Sequence, residues 1–307
     1  MDNPSAQCPI LQLAPEVILL FTNELPDHAK VLLSQTCRDL RQILRQQGLP
    51  PLSAREHVRL LVHLSRANPH VWACATCKAR HRVTRNDLWG DQRLSSCPRL
   101  TVPWRPGGFF AVNHVRVQLA LKYTRLGMHS ARIRSYLKRL LRYEGGVRMV
   151  KDGRGLNIFV SSSRPRVVAG RFLVKYTWEY ALDSASSAPT PLPMLVLCHH
   201  QKLARPAEGV VWGEERKQLV RAVEGALSDD LSGVEYCRSC PFCPTDFAVR
   251  IFDEGMVIEA WKDFGPEDGP GNPTWRSHSS TEARRNPSDF GRVRRLYYGV
   301  LKGGPLS

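Results

Sequence analysis

No apolar run in this 307-residue chain approaches the roughly 18 residues a membrane-spanning helix needs. The opening Met1-Asp2-Asn3-Pro4 lacks the basic start and apolar stretch of a secretory signal. The expectation is an intracellular chain, cytoplasmic or nuclear, with no membrane partner. GxSxG, a Walker loop, HExxH and a Gly-rich dinucleotide fingerprint are all missing. His199 and His200 beside Cys198 do not make up for them, because neighbours on a strand point to opposite faces. The chain is therefore read as a non-enzyme. Lysine is scarce: it supplies 10 of the 44 basic residues and arginine the other 34, a skew that GC-rich coding produces without functional cause. Hydrophobic content of 42% with 23% charged residues excludes a disordered chain. There is no internal repeat.

What the sequence does have is cysteine. Nine cysteines with no sign of export suggest a reducing compartment, where closely spaced pairs are more often metal ligands than disulfides. Cys74 and Cys77 form one CxxC. Cys237, Cys240 and Cys243 form two overlapping ones. A two-residue gap lets a tight turn aim two thiolates at one ion, with zinc about 2.3 Å from each sulfur. Cys198 and His200 offer further ligands, and His81 and Cys97 follow the first pair. The expectation is one structural zinc, with the Cys74/Cys77 knuckle facing the Cys240/Cys243 knuckle and with Cys198, His200 and Cys237 as alternative ligands. Cys8 and Cys37 read as buried small hydrophobes. A thioredoxin-like reading of Trp72-Ala73-Cys74-Ala75-Thr76-Cys77 fails, because Ala73 separates the tryptophan from the first cysteine and no βαβ pattern surrounds it.

Hydrophobic period gives an α+β fold: an N-terminal helical module over residues 1–47, then a mixed α+β domain over 48–307 with antiparallel strands. Gly48-Leu49-Pro50-Pro51 makes the break. Helices fit Ala54 to Leu64, with Val58, Leu60, Leu61 and Leu64 inward, then His114 to Leu126, His129 to Tyr143 and Gly213 to Leu227. Phe172, Val174, Tyr176, Trp178 and Tyr180 alternate with polar or opposite-facing residues, as a strand does. Shorter strands fit Asn157 to Ser161 and Arg166 to Val168, with a turn between them, and Met194 to Cys198. Phe247, Val249 and Ile251 are matched to Val257, Glu259 and Trp261 in a hairpin. The chain after Trp261 reads as irregular up to Phe290, a tail anchored by Trp275, with Arg276 pairing Asp246 or Asp263.

The N-terminal module carries a family wording. Leu13-Ala14-Pro15-Glu16 opens an apolar helix, Val17-Ile18-Leu19-Leu20-Phe21. Pro26-Asp27 breaks it, and a second helical stretch runs through Thr36-Cys37-Arg38-Asp39-Leu40-Arg41. This resembles the F-box, with Ala14 where many F-boxes have the proline of their Leu-Pro pair. Cys240 to Phe247, Trp261 to Gly265 and Pro273 to His278 are similar to a C-terminal pattern in fungal F-box-like proteins. The resemblance implies a Skp-family adaptor held through Leu13, Pro15, Glu16, Val17, Ile18, Leu20 and the second helix. The remainder of the chain would present a target protein to a cullin-RING ubiquitin ligase.

The net charge of +16 and pI near 9.8 frame the alternative, a zinc-containing basic protein that binds nucleic acid. The densest basic cluster is Arg132, Arg134, Lys138, Arg139 and Arg142, on a helix whose other face carries Ile133, Leu137, Leu140 and Leu141. An amphipathic helix of that kind ordinarily has a solvated charged face.

Overall fold

In the computed structural model the described residues are 9–46, 48–89, 96–97, 99, 112–127, 130–152, 155–181, 195–203, 217–228, 233–252, 255–279 and 290–299. Cys8 lies outside them.

Among the described residues a short 3-10 turn (Pro9–Gln12) is followed by three short α-helices: α1 (Pro15–Asn23), α2 (Asp27–Ser34) and α3 (Arg38–Gln46). Pro15 sits at the start of α1, where a missing N–H costs nothing, and Glu16 follows in the first turn. The Thr-Cys-Arg wording has a local task. Thr36 Oγ1 donates to the Leu33 carbonyl (2.7 Å) at the end of α2. Cys37 Sγ accepts from the Leu40 N–H (3.4 Å) at the start of α3. Arg41 Nε donates to the Ser34 carbonyl (3.1 Å), and Leu40 is buried. These residues fix the corner between two helices.

Helix α4 (Ala54–Ser65) begins at Ser53, whose hydroxyl accepts from the Glu56 N–H (3.2 Å). It joins the three-helix module to the rest of the chain. His28 of α2 pairs with Glu56 and stacks on His63 at 5.3 Å. Arg59 bridges Glu56 (3.0 Å) and Asp268 (3.3 Å). Val58 and Leu60 are buried as expected, but so is Val62, whereas Leu61 is half-buried and Leu64 exposed.

The body is a six-stranded antiparallel sheet in the order β3-β4-β5-β10-β9-β8: β3 (Glu144–Asp152), β4 (Gly155–Val168), β5 (Arg171–Ala181), β8 (Glu235–Ser239), β9 (Thr245–Phe252) and β10 (Gly255–Pro266). Helices α6 (His114–Arg125), α7 (Ala131–Leu140) and α8 (Gln218–Ser228) cover one face, burying Phe172, Val174, Tyr176, Trp178 and Tyr180 of β5. On the other face α10 (Arg292–Tyr298) packs Val293 and Tyr297 on Leu173, Ala248 and Trp261. The remaining elements are the hairpin β1 (Val71–Cys74)/β2 (Ala79–Arg82), the short helix α5 (Arg85–Trp89), the two-stranded β6 (Leu195–Val196)/β7 (Lys202–Leu203) and α9 (Pro273–Ser279). No helix among the described residues is long and apolar enough to cross a membrane.

Three expectations are corrected. First, residues 155–168 form one strand with no turn. Pro165 pairs with Val174 of β5, while β3 reaches only as far as Ser163, so the proline sits where β4 has lost its second neighbour. Second, the β9–β10 hairpin exists one residue out of the expected register: Val249 faces Ile258 and Phe247 faces Ala260. That register keeps Phe247, Val249, Met256, Ile258 and Ala260 on the helix-covered face and Trp261 under α10; a one-residue slip would exchange the faces. Third, the segment after Trp261 stays ordered through Pro266 and then forms α9. There Trp275 packs against Phe264 and His114, and His278 Nε2 bonds the Asp263 carbonyl at 2.8 Å. Asp263 receives Arg171 Nε (2.7 Å), and Asp246 receives the Arg294 N–H (2.9 Å).

On α7 Arg132, Arg134 and Lys138 are exposed and Leu137 and Leu140 buried, but Arg139 and Ile133 are half-buried, and Leu141 and Arg142 lie past the end of the helix.

Candidate functional site

Cysteine and histidine gather at two places. In the first, Cys74, Cys77, His81 and Cys97 bring one donor atom each to within 4.8 Å of one another. In the second, Cys198, His200, Cys240 and Cys243 do the same. The knuckles expected to share one ion, Cys74/Cys77 and Cys240/Cys243, thus stand in different clusters. Cys237 joins neither. Its thiol lies on β8 beside Glu235 (3.3 Å) and Arg294 (3.1 Å), and both burial and the Glu235 carboxylate raise its pKa. Cys237 is in the middle of β8, three residues before Cys240, and its side chain faces Glu235 and Arg294 instead of the turn.

The first cluster forms at the tip of the β1–β2 hairpin. Cys74 ends β1, and the Cys77 N–H donates back to its sulfur (3.4 Å). Lys78 takes the left-handed conformation (φ 51°) that turns the chain into β2, where His81 sits opposite Trp72. Cys97 arrives from beyond α5 on a polar scaffold. Buried Asp87 accepts from the Thr84 N–H (2.8 Å) and the Ser96 N–H (3.0 Å), and Ser96 Oγ accepts from Trp72 Nε1 (3.0 Å). The sulfurs of Cys77 and Cys97 are 3.3 Å apart, and those of Cys74 and Cys97 3.6 Å. Behind the hairpin, buried polar side chains of α6 hold its backbone. Gln118 Oε1 accepts from the Ala73 N–H (2.9 Å), Lys122 Nζ donates to the Val71 carbonyl (2.5 Å), and Tyr123 donates to the Pro69 carbonyl (2.9 Å).

The second cluster is made by two facing turns. Cys198 and His200 lie in the β6–β7 connection, just past the strand expected to contain Cys198; the Cys198 and Leu197 N–H groups both donate to the Gln201 carbonyl (3.3 and 3.0 Å). The Gln201 side chain accepts from the Leu219 N–H (3.1 Å), tying that turn to α8. Cys240 and Cys243 occupy the β8–β9 turn, closed by Cys240 N–H to Thr245 O (2.8 Å) and Thr245 N–H to Cys243 O (2.7 Å). All four side chains are buried, and the Cys198 and Cys240 sulfurs are 3.8 Å apart.

The donors fit a metal ion. His81 Nε2 is buried with no hydrogen-bond partner, a cost of about 1–3 kcal/mol that coordination would remove, and the buried His200 ring offers one nitrogen to the second cluster. Crowded thiols also cannot ionise together unaided. Burial opposes ionisation of Cys198, yet hydrogen bonds from Cys240 and Cys243 bring its pKa well below the usual thiol value. Hydrogen bonding to Cys198 in turn pushes Cys240 up to about 12 and raises Cys243 well above the usual thiol value. At the first site hydrogen bonding to Cys97, then burial and Cys74, raise Cys77 to about 11. A divalent cation would supply the charge that lets all three sulfurs at each site ionise. Two Cys/His clusters able to hold a metal are therefore present. His81 and Cys97, which the sequence showed only as residues following a knuckle, complete the first.

The N-terminal module presents a different surface. Leu13, Val17, Leu20 and Phe21 are exposed, the last two at 69% and 63%; the i, i+3, i+4 spacing of Val17, Leu20 and Phe21 puts those three on one side of α1, and Leu13 stands just before the helix. Leu25 is exposed just beyond the helix. Pro15 and Glu16 are exposed too. Ile18, expected among the partner-binding residues, is buried at 1% exposure with Thr22 one turn on, so it holds α1 in place instead.

No family model, curated protein or solved structure matches this chain.

Proposed function

We propose that this chain is a non-catalytic recruitment protein. Its N-terminal module binds a Skp-family adaptor through the outer face of α1, and its α+β body presents a target protein to a cullin-RING ligase. The observation that carries the reading is the row of Val17, Leu20 and Phe21 left in water on α1, with Leu13 exposed just before it. Scattered exposed apolar residues are ordinary, but an aligned set rimmed by polar residues such as Glu16 and Glu24 is the signature of an interaction surface. The F-box resemblance supplies the identity of the partner. Zinc suits the donor sets of the body and serves there as a structural ion that stiffens turns.

The test is a titration of a purified Skp-family adaptor against the intact chain by calorimetry. Binding is expected, insensitive to salt because the face is apolar, and Leu20→Ala or Phe21→Ala should weaken it by about 1–3 kcal/mol. No heat at tens of micromolar, with the chain folded, would refute the proposal.

A further inference from the structure

We propose that the chain binds two zinc ions independently, one in each cluster, as two closed Cys3His centres of different accessibility. The inference concerns the metals alone, so a failed adaptor titration leaves it standing.

Geometry separates the sites. The first draws all its ligands from the β1–β2 hairpin and the segment at Cys97; the second draws them from the β6–β7 and β8–β9 turns. No residue belongs to both sets. Each set is complete, since three sulfurs and one imidazole fill a tetrahedron. For zinc–sulfur bonds near 2.3 Å the edge of that tetrahedron is about 3.8 Å. The observed sulfur–sulfur separations of 3.3, 3.6 and 3.8 Å lie at or just inside that edge, far beyond a disulfide bond. Three soft thiolates with one imidazole and no carboxylate select zinc over magnesium or calcium. With four protein donors no position remains for water or substrate, so both centres are structural.

The two differ in cover. Every ligand of the second is buried, whereas Cys77 and His81 of the first are half-exposed. A chelator therefore reaches the first ion without opening the fold, and the second only after β6–β7 separates from β8–β9.

The experiment is elemental analysis of the full-length chain purified without chelator, followed by timed zinc release to a chromogenic chelator. About two equivalents are expected in the wild type and about one each in Cys77→Ser and Cys243→Ser. Release should show two phases, and the fast one should be absent from Cys77→Ser. Fewer than about 1.5 equivalents in the wild type would overturn the proposal, as would loss of all metal from either variant while its circular dichroism remains that of the wild type. Should a variant fail to fold, the wild-type stoichiometry and release phases decide: a single phase carrying both ions refutes independence. Cobalt substitution gives the ligand test, with intense visible bands expected from tetrahedral thiolate coordination and weak ones refuting it.

Discussion

Lys122 is 0% exposed, in the last turn of α6, with its amine donating to the carbonyls of Val71 (2.5 Å) and Asn68 (3.4 Å). Burial lowers its pKa from 10.5 to about 8, against a partial restoring pull from Glu267. The sign follows from proton counting. Between pH 8 and 10.5 an unfolded lysine keeps a proton that the buried one has lost, so the unfolded state binds more protons and stability rises with pH. Across the whole window the change is about 3 kcal/mol; between pH 7 and 9.5 it is about 2 kcal/mol. Lys122→Met removes this dependence while filling similar space. At pH 7 relief from burying an ammonium offsets the roughly 1–3 kcal/mol cost of leaving two carbonyls unbonded, so the variant should lie within about 2 kcal/mol of wild type. By pH 9.5 it should have fallen behind by about 2 kcal/mol more. Urea unfolding followed by tryptophan fluorescence at several pH values measures the difference, and the tyrosines and cysteines common to both proteins cancel. A gap constant to about 0.5 kcal/mol over that range would show that Lys122 is not the titrating group.

Ile18→Ala should cost about 2–4 kcal/mol of folding stability in a denaturant titration, and Leu20→Ala less than about 0.5, because one side chain is enclosed and the other is in water. Cys237→Ser should leave zinc content unchanged in elemental analysis, since that thiol bonds Glu235 and Arg294 and stands apart from both clusters. His114 is held neutral, its pKa brought down to about 4 by burial although the Asp268 carbonyl opposes this. Unfolded histidine binds a proton from about pH 6.5 downward, so this residue makes stability fall between pH 6.5 and 4. His114→Gln should flatten that part of a melting-temperature profile against pH; an unchanged slope would count against it.

The sequence showed its metal chemistry as spacing and concealed it as pairing. A CxxC announces that two sulfurs share a turn, but not which other turn it will meet, because that depends on the path of the sheet. Cys240 and Cys243 found Cys198 and His200 because the β8–β9 turn faces the β6–β7 turn. Cys74 and Cys77 found Cys97 through a carboxylate, Asp87, that no ligand motif includes. The strand Phe172 to Tyr180 was legible because alternation there is strict, and the register of its neighbour β10 was not, since Val257 and Ile258 are equally apolar and only the helices above decide which turns inward. In α1 every residue from Val17 to Phe21 is apolar, so period alone does not separate Ile18, which is packed, from Leu20 and Phe21, which are exposed. Gln118 and Lys122 are polar residues of the kind that ordinarily face water on a helix, and their burial against the backbone of residues 68–73 becomes visible only once that segment is seen to lie across them.

The position of the two clusters along the chain also orders their assembly during synthesis. Cys74 and Cys97 are 23 residues apart, and the helix that clamps their hairpin ends at Arg125, before the first strand of the six-stranded sheet begins at Glu144. The ligands and backing of the first centre have thus all been translated while the sheet is still unmade. Cys198 and Cys240 are 42 residues apart, and their site needs α8, β8 and the start of β9. Loop closure alone separates the two only slightly, by about 0.5 kcal/mol. The larger difference is that the first metal is a local event within one short stretch of chain, and the second waits for the long-range pairing that completes the sheet.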